Sequence, residues 1–267
     1  MKYVVIKLGG SILEDLSDAF YQTIVDLYLE KKWLPILVHG GGPMISQWLH
    51  QLQIDSSFKS GLRVTTREVL DVVESVLSGL VNKKIVRKLN NAGGKAIGLS
   101  GIDGHFLKAE PLNEDHSLGF VGKVGNVDKS LIHFSFEKGM IPVISPLAMD
   151  VRGERYNINA DAAAAAIAQA MNARLCFISD VPGILMEPNE ETSGLRTATP
   201  RQIASLIEQN VINGGMVPKV KAAVSALEEN LQEVVILNGH DPNGLEKYAL
   251  GQEIGTKIVP DEEKCHV

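Results

Sequence analysis

In the opening stretch MKYVVIKLGGSIL, a lysine interrupts an apolar run and is followed at once by bare backbone: Lys7 ends a β-branched segment and precedes Gly9 and Gly10. A cation held at a strand end beside glycine N–H groups can receive an anion, and phosphates use sites of this kind. A second cluster follows the next apolar run, ILVHGGGPMI, where Gly40, Gly41 and Gly42 lead through Pro43 into a helical pattern. Glycines before a proline at the first helical position expose the free N–H groups of the helix start. Either cluster by itself reads as a tight strand-to-helix turn. Two of them, at the ends of successive strands, point to a phosphate. His39 stands beside the second cluster, in reach of a supporting role.

Three further constellations carry polar groups. RYNINADAAAAAIA places Asn157, Asn159 and Asp161 where an alanine-rich helix starts. Capping that helix needs one of the three, so the surplus suits hydrogen bonds to a ligand. CFISDVPGIL ends a buried strand on Asp180 before a Pro-Gly turn at Gly183. GGMVPKVKAA sets Lys219 in the first turns of a helix after Gly214 and Gly215, where a cation opposes the macrodipole but serves an anion. Arg63, in KSGLRVTTREV, sits in an expected loop, and its guanidinium has the shape to hold a carboxylate bidentately. The sequence holds no G-x-x-x-x-G-K-[ST], no G-x-G-x-x-G after a strand and no metal-ligand spacing, which disfavours Walker-type NTPases and Rossmann dehydrogenases.

These residues need a scaffold, and the composition allows one. The chain has 267 residues, 45% hydrophobic and 22% charged, as expected of a globular protein with a sizeable core. A net charge of -6 argues against nucleic acid as the main partner. Two cysteines, Cys176 and Cys265, are too few for a disulfide framework, which fits a reducing cytoplasm. No run approaches the length of a membrane span, and Lys7 with its glycines breaks any signal-like stretch. Short β-branched runs at 3–8, 35–39, 95–100, 141–145, 175–179 and 233–238 alternate with helical patterns at 17–31, 44–52, 66–90, 161–171, 200–209 and 216–230. That alternation predicts an α/β protein with a mostly parallel sheet covered on both faces. Thr199-Pro200-Arg201-Gln202 predicts a capping box, and 106–127 a β-hairpin excursion.

In order, KLGGS, HGGGP, INAD before the alanine helix, SDVPGIL and GGMVPK resemble the amino-acid kinase family, from Tyr3 to about Val259. Within it, SGLRVTT, LVNKKIVRKLNNAGGKAIGLSGIDG and YNINAD are similar to the branch acting on N-acetyl-L-glutamate. The resemblance implies a three-layer αβα sandwich over 1–267, with an acceptor-binding and dimerising lobe at 1–172 and an ATP lobe at 173–267. It implies transfer of a phosphoryl group from MgATP to the side-chain carboxylate of N-acetyl-L-glutamate, giving N-acetyl-L-glutamyl 5-phosphate and ADP for arginine biosynthesis. Lys7 and Lys219 would then stabilise the moving phosphoryl, backbone N–H groups near Gly10 and Gly42 would bind its oxygens, and Asp161 would hold both lysines.

By the same resemblance Arg63, Asn157, Asn159, Gly41 and Gly42 would hold the acceptor, while Gly9, Gly10, Asp180, Gly183, Leu185, Gly215, Met216 and Lys219 would line the ATP site. No side chain stands out as a Mg²⁺ ligand, so the phosphates would supply most of its coordination. The competing readings are a kinase of carrier-bound 2-aminoadipate and a non-catalytic nucleotide-binding protein of the same fold. Apolar residues at 69, 70, 72, 73, 76, 77, 80 and 81 make a band wide enough for a second copy, and the family pairs through this region, so a homodimer is expected. Arginine-inhibited members carry an additional N-terminal helix, whereas the first strand here begins at Tyr3, so insensitivity to arginine is also expected.

Overall fold

Each of the six β-branched runs becomes a strand of one sheet, because such runs gain most when both faces are covered. In the computed structural model, residues 2–261 are described, apart from 114, 116, 187–193, 215, 229, 230 and 232. In spatial order the eight strands are Thr197–Ala198, Thr256–Ile258, Val234–Asn238, Arg174–Ser179, Lys2–Leu8, Trp33–His39, Ile141–Ser145 and Ala96–Ser100. Neighbours run parallel except Val234–Asn238 against Thr256–Ile258. The strand period of two sends alternate side chains to opposite cores. Val4, Ile6 and Leu8 enter one, Val5 the other.

Helices Asp18–Leu29, Gly42–Gln51 and Gly244–Ala249, with the long helical stretch 67–91, cover the first face. Ser130–Glu137, Ala160–Ala170, Pro200–Glu208 and Met216–Glu228 cover the second. The result is the expected three-layer α/β sandwich. Alanines make Ala160–Ala170 slim: Ala163, Ala164 and Ala168 are fully buried, so its backbone comes close to the sheet. Thr199 and Gln202 form the predicted capping box.

Several features depart from the sequence reading. The hairpin Leu107–Pro111 and Val121–Val127 closes with Leu147–Met149 and Arg155–Ile158 into a small barrel. The short strands Thr197–Ala198 and Thr256–Ile258 and the helices Ser130–Glu137 and Gly244–Ala249 lie outside the sequence expectation, being short segments whose periodicity is weak. The helix expected at 66–90 has a π-helical centre, Ser75–Val81, between Arg67–Glu74 and Asn82–Asn91. Its broad apolar band is consumed by the chain's own core, leaving Leu80 as the exposed member at 45%. That band therefore gives no argument for a second copy.

Candidate active site

The central strand Lys2–Leu8 is flanked by Trp33–His39 on one side and Arg174–Ser179 on the other, with Leu8 level with both His39 and Ile178. The chain leaves this strand toward one neighbour and returns later to the other. Such a switch point opens a crevice at the carboxyl ends of the strands, where α/β proteins bind ligands. Lys7, the Gly40–Gly42 turn and Asp180 all arise there.

Lys7 is buried, and its Nζ lies 2.7 Å from Asp161 Oδ1, with the two side chains 8% and 13% exposed. The approach is off the hydrogen-bond direction, so the contact is a Coulombic pair that leaves Oδ1 without a directed donor. Asp161 is carried into place by Asn159, which caps Ala160–Ala170 by accepting from the N–H groups of Asp161 and Ala162 at 2.9 and 3.1 Å. Lys219 stands apart from this pair. Its Nζ donates to Ser179 Oγ at 2.5 Å and to Asp180 Oδ1 at 3.3 Å. Asp161, expected to hold both lysines, thus holds Lys7, and Lys219 turns to the end of strand Arg174–Ser179. Burial alone would raise the Asp180 pKa, but the Lys219 charge and the Ser179 hydrogen bond outweigh it and hold the carboxyl below its ordinary value.

The two glycine clusters meet face to face. A Cβ on Gly10 would lie 2.9 Å from Gly41 N and 3.0 Å from Gly42 N, and one on Gly41 would lie 2.6 Å from Leu77 Cδ2. No side chain fits at Gly10, where the obstacle is backbone, and one at Gly41 would have to displace Leu77. Among the described residues, the N–H groups of Gly10, Gly41 and Gly42 have no acceptor, which leaves an array of donors beside Lys7. Gly9 differs, since its N–H donates to Ile178 O at 3.2 Å and ties two strand ends together.

On one side of this array a cavity of about 180 Å³ is lined by Gly40, Gly41, Gly42, Arg63, Asn157 and Asn159, among others. Arg63 is buried and lies in a short strand, Leu62–Arg63, rather than in a loop. Its guanidinium donates to Ser56 Oγ at 2.7 Å, Ser46 Oγ at 2.7 Å and Gly42 O at 3.1 Å, and it sits 4.6 Å from the centre of the Phe58 ring. These contacts engage three of its five N–H bonds, leaving one on Nη1 and that on Nε. Burial lowers the Arg63 pKa, yet a guanidinium stays charged. Asn157 donates to Thr65 Oγ1 at 3.2 Å, which in turn donates to Arg63 O at 2.9 Å.

On the other side an open cleft of about 600 Å³ is lined by Ser11, Asp180, Gly183, Leu185, Met216 and Lys219, with further residues of 211–214. Gly215 lies outside the described residues. The described residues contain no cluster of three His, Cys, Asp or Glu side chains able to cage a metal ion.

Residues 2–238 match the model of the amino acid kinase family. The chain belongs to the amino acid kinase family. Among its curated relatives, acetylglutamate kinase of Oceanobacillus iheyensis is 42% identical over 267 residues, the whole of both chains. Acetylglutamate kinase of Geobacillus kaustophilus is 49% identical over 239 residues, 89% of this chain and 90% of the relative. A solved structure, smu.665 of Streptococcus mutans, superposes with a TM-score of 0.83 at 30% identity, covering 97% of this chain and 99% of the other.

Three partners lie outside the motifs that an amino acid kinase displays in sequence, and a fourth opens SDVPGIL. Ser46, Ser56 and Phe58 surround Arg63, and Ser179 bridges Lys219 and Asp180. A serine in a helix or loop carries no periodic signal. Ser179 alone had one, as the polar last residue of an apolar strand.

Proposed function

We propose that this chain transfers the γ-phosphoryl group of ATP to the side-chain carboxylate of N-acetyl-L-glutamate, the acyl-phosphate-forming step of arginine synthesis. The observation that carries the reading is the Lys7–Asp161 pair, set beside free glycine N–H groups between an arginine-containing cavity and a cleft that ends on Lys219. The acceptor carboxylate is ionised at neutral pH, so no general base is required. What the reaction demands is alignment and positive charge around the transferring group. Lys7 and the N–H groups of Gly10, Gly41 and Gly42 supply it from the acceptor side, and Lys219 from the nucleotide side. Asp161 orients Lys7. Arg63 draws the α-carboxylate by its charge and a remaining N–H bond, while Asn157 and the free amide of Asn159 meet the rest of the acceptor.

The apolar side chains of Ile184, Leu185, Val211 and Met216 offer a surface for the base in the cleft. Mg²⁺ would arrive with the nucleotide and neutralise its phosphates. A donor set that holds no carboxylate cage among the described residues fits an ion coordinated mainly by phosphate oxygens and water.

The segments 1–172 and 173–267 divide the work between acceptor and nucleotide, although each face of the sheet has a core built from both. The outer edge of Ala96–Ser100, which no further strand covers among the described residues, is the surface we assign to a homodimer. Sedimentation tests that assignment, with a monomer overturning it. A cytoplasmic location follows from the same role. The activity is tested by trapping the acyl phosphate with hydroxylamine in the presence of ATP. Hydroxamate formed from N-acetylglutamate and not from aminoadipate is the expected result; no hydroxamate from N-acetylglutamate overturns the reading.

A further inference from the structure

His39 ends its strand one residue before the glycine turn and is fully buried. Its Nδ1 lies 2.9 Å from Gly40 O, and its Nε2 lies 3.3 Å from Asn82 Nδ2. The two contacts fix the tautomer. Nδ1 carries the proton and donates to the carbonyl, while Nε2 accepts from the amide. Burial, with a smaller contribution from the nearby Lys83 charge, lowers the ring pKa to about 4 against the opposing Gly40 hydrogen bond, so the ring is neutral near pH 7. A second proton would set an N–H against the Asn82 amide.

Asn82 is also fully buried and is locked from several sides. Its Nδ2 donates to Val143 O at 2.9 Å, and its Oδ1 accepts from Lys83 Nζ at 3.1 Å. It is the first residue after the π-helical turn Ser75–Val81, and that turn has a consequence for the site. Leu77 and Val81 press on Gly41 from the same stretch that delivers Asn82 to His39. π-turns inside helices recur at functional sites because they re-aim side chains by one residue.

We propose that His39 and Asn82 are a positioning pair for phosphoryl transfer: by holding the Gly40 carbonyl they aim the free N–H groups of Gly41 and Gly42 at the moving phosphoryl group. The inference rests on the kinase reading. Neither residue lines the acceptor cavity or the nucleotide cleft, so both act through the glycine turn. Apolar residues of similar size would fill the space but leave the buried carbonyls of Gly40 and Val143 without these donors.

Two conservative variants separate the contacts. His39→Asn keeps a donor near the Nδ1 position and loses the link to Asn82, whereas His39→Gln reaches Asn82 and releases Gly40. His39→Gln is expected to lower kcat ~10²-fold, the cost of a small misplacement, with KM for ATP and for N-acetylglutamate little changed. His39→Asn, which still holds Gly40 but without Asn82 behind it, should recover part of that loss. Backbone amide resonances of Gly41 and Gly42 should shift in the Gln variant and stay close to wild type in the Asn variant, a readout that needs no turnover. Wild-type kcat in His39→Gln, or equal losses in the two variants with unmoved glycine resonances, overturns the proposal. Absence of acyl phosphate in the wild-type protein overturns the kinase reading instead, and the glycine resonances then still decide whether His39 sets the turn.

Discussion

The two cationic ends of the site are built differently. Lys7 belongs to the central strand, is buried, and faces a carboxylate that is only 13% exposed, at the start of the alanine helix. Lys219 belongs to a helix over an open cleft, with its side chain 19% exposed and its partner Asp180 48% exposed. On the acceptor side the glycine turn, the capped helix and Arg63 are each fixed by several hydrogen bonds before any ligand arrives. On the nucleotide side Asp180 is half exposed and Lys219 partly so. Under the proposed function, the contrast assigns one lysine to the fold as well as the chemistry, and the other to the chemistry. Substitutions that separate stability from activity test that division.

The largest effects belong to the lysines. Replacing Lys7 or Lys219 with Met removes a charge needed chiefly in the transition state, so kcat should fall by ~10²–10³ in each, as it does when single electrostatic donors are lost elsewhere. Stability should separate them. Lys7→Met leaves the Asp161 carboxylate buried and unpaired, a loss of about 3 kcal/mol, whereas Lys219→Met leaves a half-exposed Asp180 that water can solvate. Urea melts of both variants check this. Equal stability in the two would break the comparison.

Next in size is a pH effect on the acceptor side. His39 has a folded pKa of about 4 against 6.5 unfolded, so between those values the unfolded chain binds the extra proton. Stability is therefore complete above pH 6.5 and declines as pH falls toward 4, by up to roughly 3 kcal/mol from this group. In His39→Asn that portion of the decline should vanish. An unchanged slope of stability against pH would mean that His39 is solvated or charged in the fold.

A somewhat smaller change is expected from Arg63. Arg63→Lys keeps the charge but loses the planar fork that reaches Ser46, Ser56 and the acceptor together. A charge-assisted hydrogen bond contributes about 1.5–3 kcal/mol, so KM for N-acetylglutamate should rise roughly 10- to 100-fold. KM for ATP should hardly move. Parallel rises in both constants would detach Arg63 from the acceptor and make it structural.

The same contrast explains what could be read from sequence. The sheet and most of its helices were legible because β-branched runs and amphipathic spacing record burial directly. The convergence of Gly10, Gly41 and the Asn157–Asp161 stretch was legible too, since they sit at strand and helix ends, where residue type is dictated by backbone geometry. The placement of Lys219 was not. Its partners, Ser179 and Asp180, follow from how strand Arg174–Ser179 meets helix Met216–Glu228, and tertiary proximity leaves no local trace. The π-turn at Ser75–Val81 was hidden for a related reason: one added residue in a helix leaves the apolar pattern nearly unchanged, yet it decides which side chain reaches His39. The apolar band of that helix suggested a partner surface because sequence shows how wide a band is and not how much core surrounds it.

The smallest predicted effect is the most direct test of the comparison, because it concerns two carboxylates of one type in opposite settings. Asp180→Asn removes an ion pair whose acid is half exposed, and surface pairs of this kind contribute about 0.2–1 kcal/mol. The hydrogen bond from Ser179 can be kept by the amide oxygen, so the urea midpoint should shift little. Asp161→Asn keeps the shape of its site as closely, but strips the charge from beside a buried Lys7, and its midpoint should drop visibly. Measuring the two variants under one set of conditions cancels most unfolded-state contributions, since the substitution is chemically the same. A large loss in Asp180→Asn would show that the nucleotide end is held as firmly as the acceptor end. The lysines would then differ in exposure alone, and the division between a structural and a purely chemical cation would fall.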